Sequence, residues 1–217
     1  KLMVINNNCY IIRVYSFFLY FIKEDLPMRF FIIIVGGVAG GASAAARLRR
    51  LDENLEIIIL EKGDYISFAN CGLPYYIGNV IPNRDSLFLQ TPTMLKNHLN
   101  IQARVAHEVI EIDKVNKTVT VKDLKTQTTY LETYDKLILS PGASPLLPKI
   151  SGLSEAKNLF TLRNVPDTDK IKTFININQP KTATIIGGGF IGLEMAENLK
   201  HLGLAVTIIE MAKQILP

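Results

Sequence analysis

Apolar residues along this chain fall into short unbroken runs separated by glycine, not into long amphipathic stripes. Residues 30–35 (FFIIIV) form one such run, with the length and branching of a buried parallel strand. Gly36 and Gly37 break it, and the alanine-rich stretch 39–51 predicts a helix. Residues 55–60 predict a second buried strand that ends in Glu61. Strand, helix and strand make a βαβ unit of about 30 residues, the opening of a doubly wound α/β sheet.

Residues 65–101 are mixed, with Pro74, Pro82 and Pro92 punctuating short helices and loops. From 105 to 131 polar and apolar positions alternate, as in His107-Glu108-Val109-Ile110-Glu111-Ile112, which predicts an antiparallel β-meander. Residues 136–139 give one more strand, closed by Ser140-Pro141-Gly142. A proline-bearing crossing (Pro145, Pro148) then separates residues 28–148 from 149–217. The opening pattern returns after it: strand 182–186, glycine turn 187–192, helix 191–202, and strand 206–209 ending in Glu210. The expectation is one complete dinucleotide-type region followed by the start of a second Rossmann-like domain, the sequence being truncated within it.

Composition narrows the class. The chain has 217 residues, 48% hydrophobic and 20% charged, enough to bury a core without disulfide staples. The net charge of +4 is spread out and suits phosphate-bearing small ligands better than nucleic acid. With Cys9 and Cys71 alone, a secreted disulfide framework is excluded, and a reducing cytoplasm is the expected compartment. Residues 9–22 are apolar but interrupted by Arg13 and too short for a comfortable membrane span. Residues 1–27 are read as a misassigned or non-native leader and excluded from the fold, since Met28 stands directly before the first strand; a membrane anchor and an added helix are the alternatives. No metal site is expected.

The second glycine motif is the more regular. Gly187-Gly188-Gly189-Phe190-Ile191-Gly192 satisfies G-x-G-x-x-G in a strand–turn–helix context. Gly187 permits the tight turn, Gly189 lets amides approach a pyrophosphate, and Gly192 allows helix to pack on strand. Glu210 follows Gly187 by 23 residues (210 − 187) and suits a ribose 2′-hydroxyl, favouring NADH, while Lys213 leaves room for NADPH. The first motif runs Gly36-Gly37-Val38-Ala39-Gly40-Gly41, with Val38 where the second glycine belongs. Its candidate ligand residues are Gly36, Gly37, Gly41 and Glu61, which follows Gly36 by 25 residues (61 − 36). A turn without ligand is the competing account of each motif.

Two dinucleotide folds with a cysteine inside the first suggest flavin and nicotinamide flanking a thiol. Cys71 lies in Ser67-Phe68-Ala69-Asn70-Cys71-Gly72-Leu73-Pro74, where Pro74 predicts a helix start. A helix amino terminus favours thiolate, although a lone cysteine is more often an inert core residue.

The segments VGGVAGGASAAARLRR, LEKGDYISFANCGLPYYIGNV, YDKLILSPGASP and IIGGGFIGLEMAENL together resemble the coenzyme A-disulfide reductase branch of the pyridine nucleotide-disulfide oxidoreductases, over residues 28–217. That resemblance implies FAD on the first unit, with Lys62 and Gly142 added to its candidate ligands, NAD(P)H on the second, and a homodimer. It implies Cys71 as the redox-active nucleophile, resting as a mixed disulfide with coenzyme A. Ser43, Arg47, Arg50, Ser67 and Asn70 fall where relatives contact the coenzyme. Arg47 and Arg50 are helical neighbours able to meet phosphates, with a solvated helix face as the competing account.

No second cysteine follows Cys71 closely, so the disulfide must be completed by a small thiol, or the sulfur must pass through sulfenic acid or persulfide. Oxidase and peroxidase relatives carry histidine in the first glycine turn, where this chain has Ala39. The resemblance implies coenzyme A disulfide as the substrate. The alternatives are a coenzyme A persulfide or polysulfide, an NADH oxidase activity, and a flavin-binding module in which Cys71 only senses redox state. The fragment alone is expected to be inactive, and a following rhodanese-type domain stays open.

Overall fold

The structure is a computed structural model that describes residues 30–216. The leader expectation for residues 1–27, Cys9 and Met28 falls outside them. In chain order the elements are β1 (Phe31–Val35), α1 (Ala39–Leu51), β2 (Glu56–Glu61), α2 (Leu73–Ile77), α3 (Pro92–Leu99), β3 (Gln102–Val105), β4 (His107–Asp113), β5 (Thr118–Asp123), β6 (Thr129–Thr133), β7 (Lys136–Leu139), α4 (Val165–Asn178), β8 (Thr182–Ile186), α5 (Phe190–His201) and β9 (Ala205–Ile209).

Four strands form a parallel sheet in the order β3-β2-β1-β7. Side chains alternate across a strand, so the apolar runs of β1 and β2 supply two cores at once. Ile32, Ile34, Ile57 and Ile59 point into one, beneath Ala45 and Leu48 of α1 and Leu95 of α3. Ile33, Ile58 and Leu60 point into the other, against Val119 and Val121 of the antiparallel sheet β4-β5-β6. A strand buried on both faces must be apolar at every position, which is why the two runs are unbroken.

Two expectations need correction. The meander does not begin at Val105. Residues 102–105 join the parallel sheet beside β2, and Ala106, at φ +58°, turns the chain into β4. Alternation continues through that corner and hides it. The crossing after Pro148 also contains a helix, α4, absent from the expected elements. Its start is written in Asn164-Val165-Pro166-Asp167: Asn164 Oδ1 accepts from the Asp167 amide at 2.9 Å, with proline in the first turn.

The second unit consists of β8 and β9, paired in parallel, and α5. It docks on the first through α2, because Ile77 shares a core with Ile171 of α4 and Met195 and Leu199 of α5. Among the described residues, no helix is long and apolar enough to cross a membrane.

Candidate redox site between two glycine turns

The two glycine turns are built alike. Gly36 and Gly187 adopt φ of +90° and +112°, and each donates its amide, at 2.8 Å, to the last apolar residue of the neighbouring strand, Leu60 or Ile209. A Cβ on Gly41 or Gly192 would lie 1.8 or 2.1 Å from the carbonyl oxygen of Gly36 or Gly187. Only glycine lets helix and turn approach so closely.

The strand-end carboxylates hold these turns directly. Glu61 Oε2 accepts from the Gly37 amide and Oε1 from the Gly63 amide, both at 2.7 Å. Glu210 does the same for Gly188 and Ala212, again at 2.7 Å. These backbone bonds, from Ala212 and then Gly188, hold the Glu210 carboxyl below the usual carboxylate range. The sequence assigned Glu210 to ribose and Glu61 to the cofactor, and their grip on the turns is added by the structure. A carboxylate has about four lone-pair positions, so a ribose hydroxyl can still be accommodated.

The turns present a fitting cradle for dinucleotide phosphates. Neither α1 nor α5 carries a side-chain cap or an acidic residue in its first turn, so both amino termini offer amide donors and positive dipole to an anion. A Cβ built on Gly189 would meet nothing within 4 Å, which leaves open the side where a pyrophosphate would approach. Val38 occupies the matching place in the first turn and packs beside Phe68, Leu73 and Leu87.

Cys71 is exposed, on a 3₁₀ turn (Asn70–Gly72) that runs into α2 with Pro74 in its first turn. The segment before it is anchored to the first glycine turn. Ser67, in the left-handed region at φ +48°, donates its amide to the Gly37 carbonyl at 2.9 Å, and its own carbonyl accepts from Leu89. Phe68 and Phe88 form an antiparallel bridge, and the Ala69 amide bonds the Leu87 carbonyl at 2.8 Å. Beyond Cys71, a Cβ on Gly78 would fall 2.2 Å from Asn198 Oδ1 of α5. The segment carrying the thiol therefore touches one glycine turn at its start and the second unit's helix at its end.

Other candidate residues are dispersed. Ser43, Arg47 and Arg50 are exposed on α1, and Asn70 is exposed beside Cys71; the two arginines make no hydrogen bond or ion pair among the described residues. Between them, Arg49 is a structural residue: its guanidinium donates to the carbonyls of Asp52, Glu53, Leu55, Leu99 and Asn100, tying the ends of α1 and α3 to β2. Lys62 is exposed, its Nζ 3.8 Å from Glu108 Oε1 of the meander. Gly142, at φ +68°, lies where a Cβ would come within 2.7 Å of Arg163 Nη2.

Sequence reasoning missed a polar layer around the thiol segment. Arg84 donates twice to Asp169 of α4, at 2.9 and 2.7 Å, and to Tyr65 Oη at 2.9 Å. Its guanidinium carbon lies 5.1 and 5.3 Å from the ring centres of Tyr65 and Phe88. The bond to Asp169, then that to Tyr65, holds the Arg84 proton more firmly than usual. Lys172, one turn on from Asp169, reaches the carbonyl oxygen of Tyr76 at 2.6 Å. No spacing rule joins residues so far apart in the chain.

A profile of the family described as pyridine nucleotide-disulphide oxidoreductase matches residues 30–217. The chain is 47% identical over 184 residues to coenzyme A disulfide reductase of Staphylococcus epidermidis, covering 85% of this chain and 41% of that protein. Among solved structures, the reduced form of Bacillus anthracis CoADR-RHD superposes with a TM-score of 0.86 at 58% identity, over 89% of this chain and 35% of that one. A NAD-dependent persulfide reductase from A. fulgidus superposes with a TM-score of 0.81 at 36% identity, over 86% and 34%. The chain thus spans about 40% of the curated relative it matches.

Proposed function

Because the chain belongs to the pyridine nucleotide-disulphide oxidoreductase family, we propose that the protein containing it reduces coenzyme A disulfide, with Cys71 as the sulfur that exchanges with substrate. The observation that carries this reading is the placement of one exposed thiol on a segment bonded to the first glycine turn and packed against the second unit. In this reading residues 28–148 hold FAD through Gly36, Gly37, Gly41 and Glu61, with Lys62 and Gly142 at its margin. Residues 149–217 begin the NAD(P)H site through Gly187, Gly189, Gly192 and Glu210. A bound flavin supplies two-electron transfer between a hydride donor and a disulfide.

The residues of the chain do the rest. Cys71 Sγ, as thiolate, attacks one sulfur of the disulfide, forming a Cys71–coenzyme A mixed disulfide and expelling one coenzyme A thiolate, which takes up a proton. Two-electron reduction of that mixed disulfide restores the Cys71 thiolate and releases the second coenzyme A. Arg47 and Arg50, exposed and unpaired among the described residues, meet the coenzyme's phosphates, with Ser43, Ser67 and Asn70 as further contacts. The whole protein in this reading is a cytoplasmic homodimer whose partners are small thiols and disulfides.

Mass spectrometry of the whole protein under non-reducing conditions tests this reading. Cys71 is expected to carry coenzyme A; a free thiol, or an adduct with another thiol, rejects it. The likeness to the A. fulgidus persulfide reductase supports a second reading, with coenzyme A persulfide as substrate. Comparing kcat/KM for the disulfide and the persulfide decides between them.

A further inference from the structure

The polar layer around the thiol segment has a single source. Helix α4, which lies outside both glycine motifs, sends two charged side chains across to the region of Cys71. Asp169 accepts from Arg84, and Arg84 stacks against Phe88, the residue bridged to Phe68 just before the thiol. Lys172 Nζ donates to the Tyr76 carbonyl and to Asn79 Oδ1, just after it, and lies 4.2 Å from the centre of the Tyr76 ring. Ile171, between them, packs on Ile77. The thiol is thus flanked on both sides in sequence by contacts to one helix.

This matters because α2 is short. A helix of five residues (Leu73–Ile77) cannot hold itself in water, since its nucleation cost exceeds what one or two turns return. Its final carbonyls need a partner, and a cation at that end also complements the helix dipole. The Tyr76 carbonyl accepts from the Asn79 amide at 3.3 Å and from Lys172 Nζ at 2.6 Å, so Lys172 adds the cation and the shorter of the two bonds. Burial lowers the pKa of this lysine, so its place there depends on the oxygens it meets.

We infer that Lys172 is a positioning residue for Cys71: through the carboxyl end of α2 it fixes where the thiol stands relative to the first glycine turn, and so couples helix α4 to disulfide exchange. The inference rests on the reading of Cys71 given above, and goes beyond it by assigning a role to a helix outside both dinucleotide motifs.

The test uses the whole protein with its flavin bound. Lys172→Met keeps the aliphatic stem and removes the donor. Misplacing a reacting group by a fraction of an ångström slows chemistry more than it weakens binding. The expected result is a fall of about tenfold in kcat for coenzyme A disulfide, with KM changed by less than about twofold. NADH-to-ferricyanide electron transfer, which needs no Cys71, should stay within about twofold, and Lys172→Arg should recover most of the disulfide activity. Asn79→Gly removes one of the lysine's acceptors while tolerating the φ of +62° at that position, and should lower kcat in the same direction by about threefold. It serves also if Lys172→Met does not fold. Unchanged disulfide turnover, or equal losses in both activities, overturns the positioning role. Cys71→Ser is the parallel arm. Full disulfide activity there overturns the reading of Cys71 and this inference with it, whereas loss in Cys71→Ser but not in the Lys172 and Asn79 variants overturns the inference alone.

Discussion

The two glycine turns are near copies in backbone and differ in what surrounds them. Both have a left-handed first glycine, a carboxylate bridging two amides, and a helix seated on the turn where no Cβ fits. At the first turn, a Cβ on Gly36 would strike the Ser140 carbonyl oxygen at 2.1 Å, because β7 lies beside β1 and delivers Ser140 there. At the second, a Cβ on Gly187 or Gly189 would meet nothing within 4 Å. Within residues 30–216 the first turn is thus closed by a neighbouring strand, whereas the second unit contributes only the strands β8 and β9 and none on that side. At the first turn the closure comes from β7, a tertiary neighbour, and not from the glycine motif itself.

The largest expected effect concerns Cys71, on the segment bonded to the first turn. Cys71→Ser in the whole protein should abolish disulfide reduction while leaving the flavin bound and reducible by NADH. Appreciable disulfide turnover would place the chemistry elsewhere.

A direct test of the Ser140 contact compares Gly36→Ala with Gly187→Ala in this chain of 217 residues. Both incur the left-handed backbone cost of about 1–2 kcal/mol. Gly36→Ala adds the clash with Ser140, for a further cost of about 1–3 kcal/mol. Urea unfolding should therefore show the larger loss at Gly36; equal losses would mean that the Ser140 contact yields without cost.

Helix α1 offers an internal contrast between binding and structure. Replacing Arg47 and Arg50 by Ala should raise KM for coenzyme A disulfide about tenfold or more, on the scale of charge-assisted bonds to phosphate, and leave stability nearly unchanged. Arg49→Ala should do the reverse, lowering stability by about 2 kcal/mol through carbonyls left without a donor. A disulfide without phosphates is the control. If its kinetics suffer equally in the Arg47/Arg50 variant, the two arginines support the fold instead.

The smallest effect is electrostatic. The folded Glu210 carboxyl titrates below its unfolded value, so its contribution to stability is present above pH about 4.5 and is lost as pH falls through the lowered folded value. Glu210→Gln should flatten that part of the stability profile, and should narrow any preference for NADH over NADPH in kcat/KM. An unchanged acid limb would show that the Gly188 and Ala212 amides are satisfied equally well without the charge.

Much of this protein was legible in residue order. Short apolar runs gave β1 and β8, each followed by glycine, β2, which ends in glutamate, and β9, which glutamate follows, all within about a residue. Buried on both faces, β1 and β2 need an apolar side chain at nearly every position. The alanine-rich stretch gave α1 with its observed bounds, and the glycine spacing located both turns, since left-handed φ and close helix approach admit no other residue. Helix α4 was written in its cap, Asn164 with Pro166 and Asp167, but its weakly amphipathic body hid it. Only the tertiary structure decided that Val105 ends a parallel strand, that Glu61 and Glu210 brace the turns they follow, and that Arg49 differs in role from Arg47 and Arg50. The same holds for Lys172 and Asp169, which meet partners more than eighty residues away. Sequence patterns report what repeats along the chain, whereas these contacts depend on which surfaces the packed elements bring together, and no local periodicity encodes that.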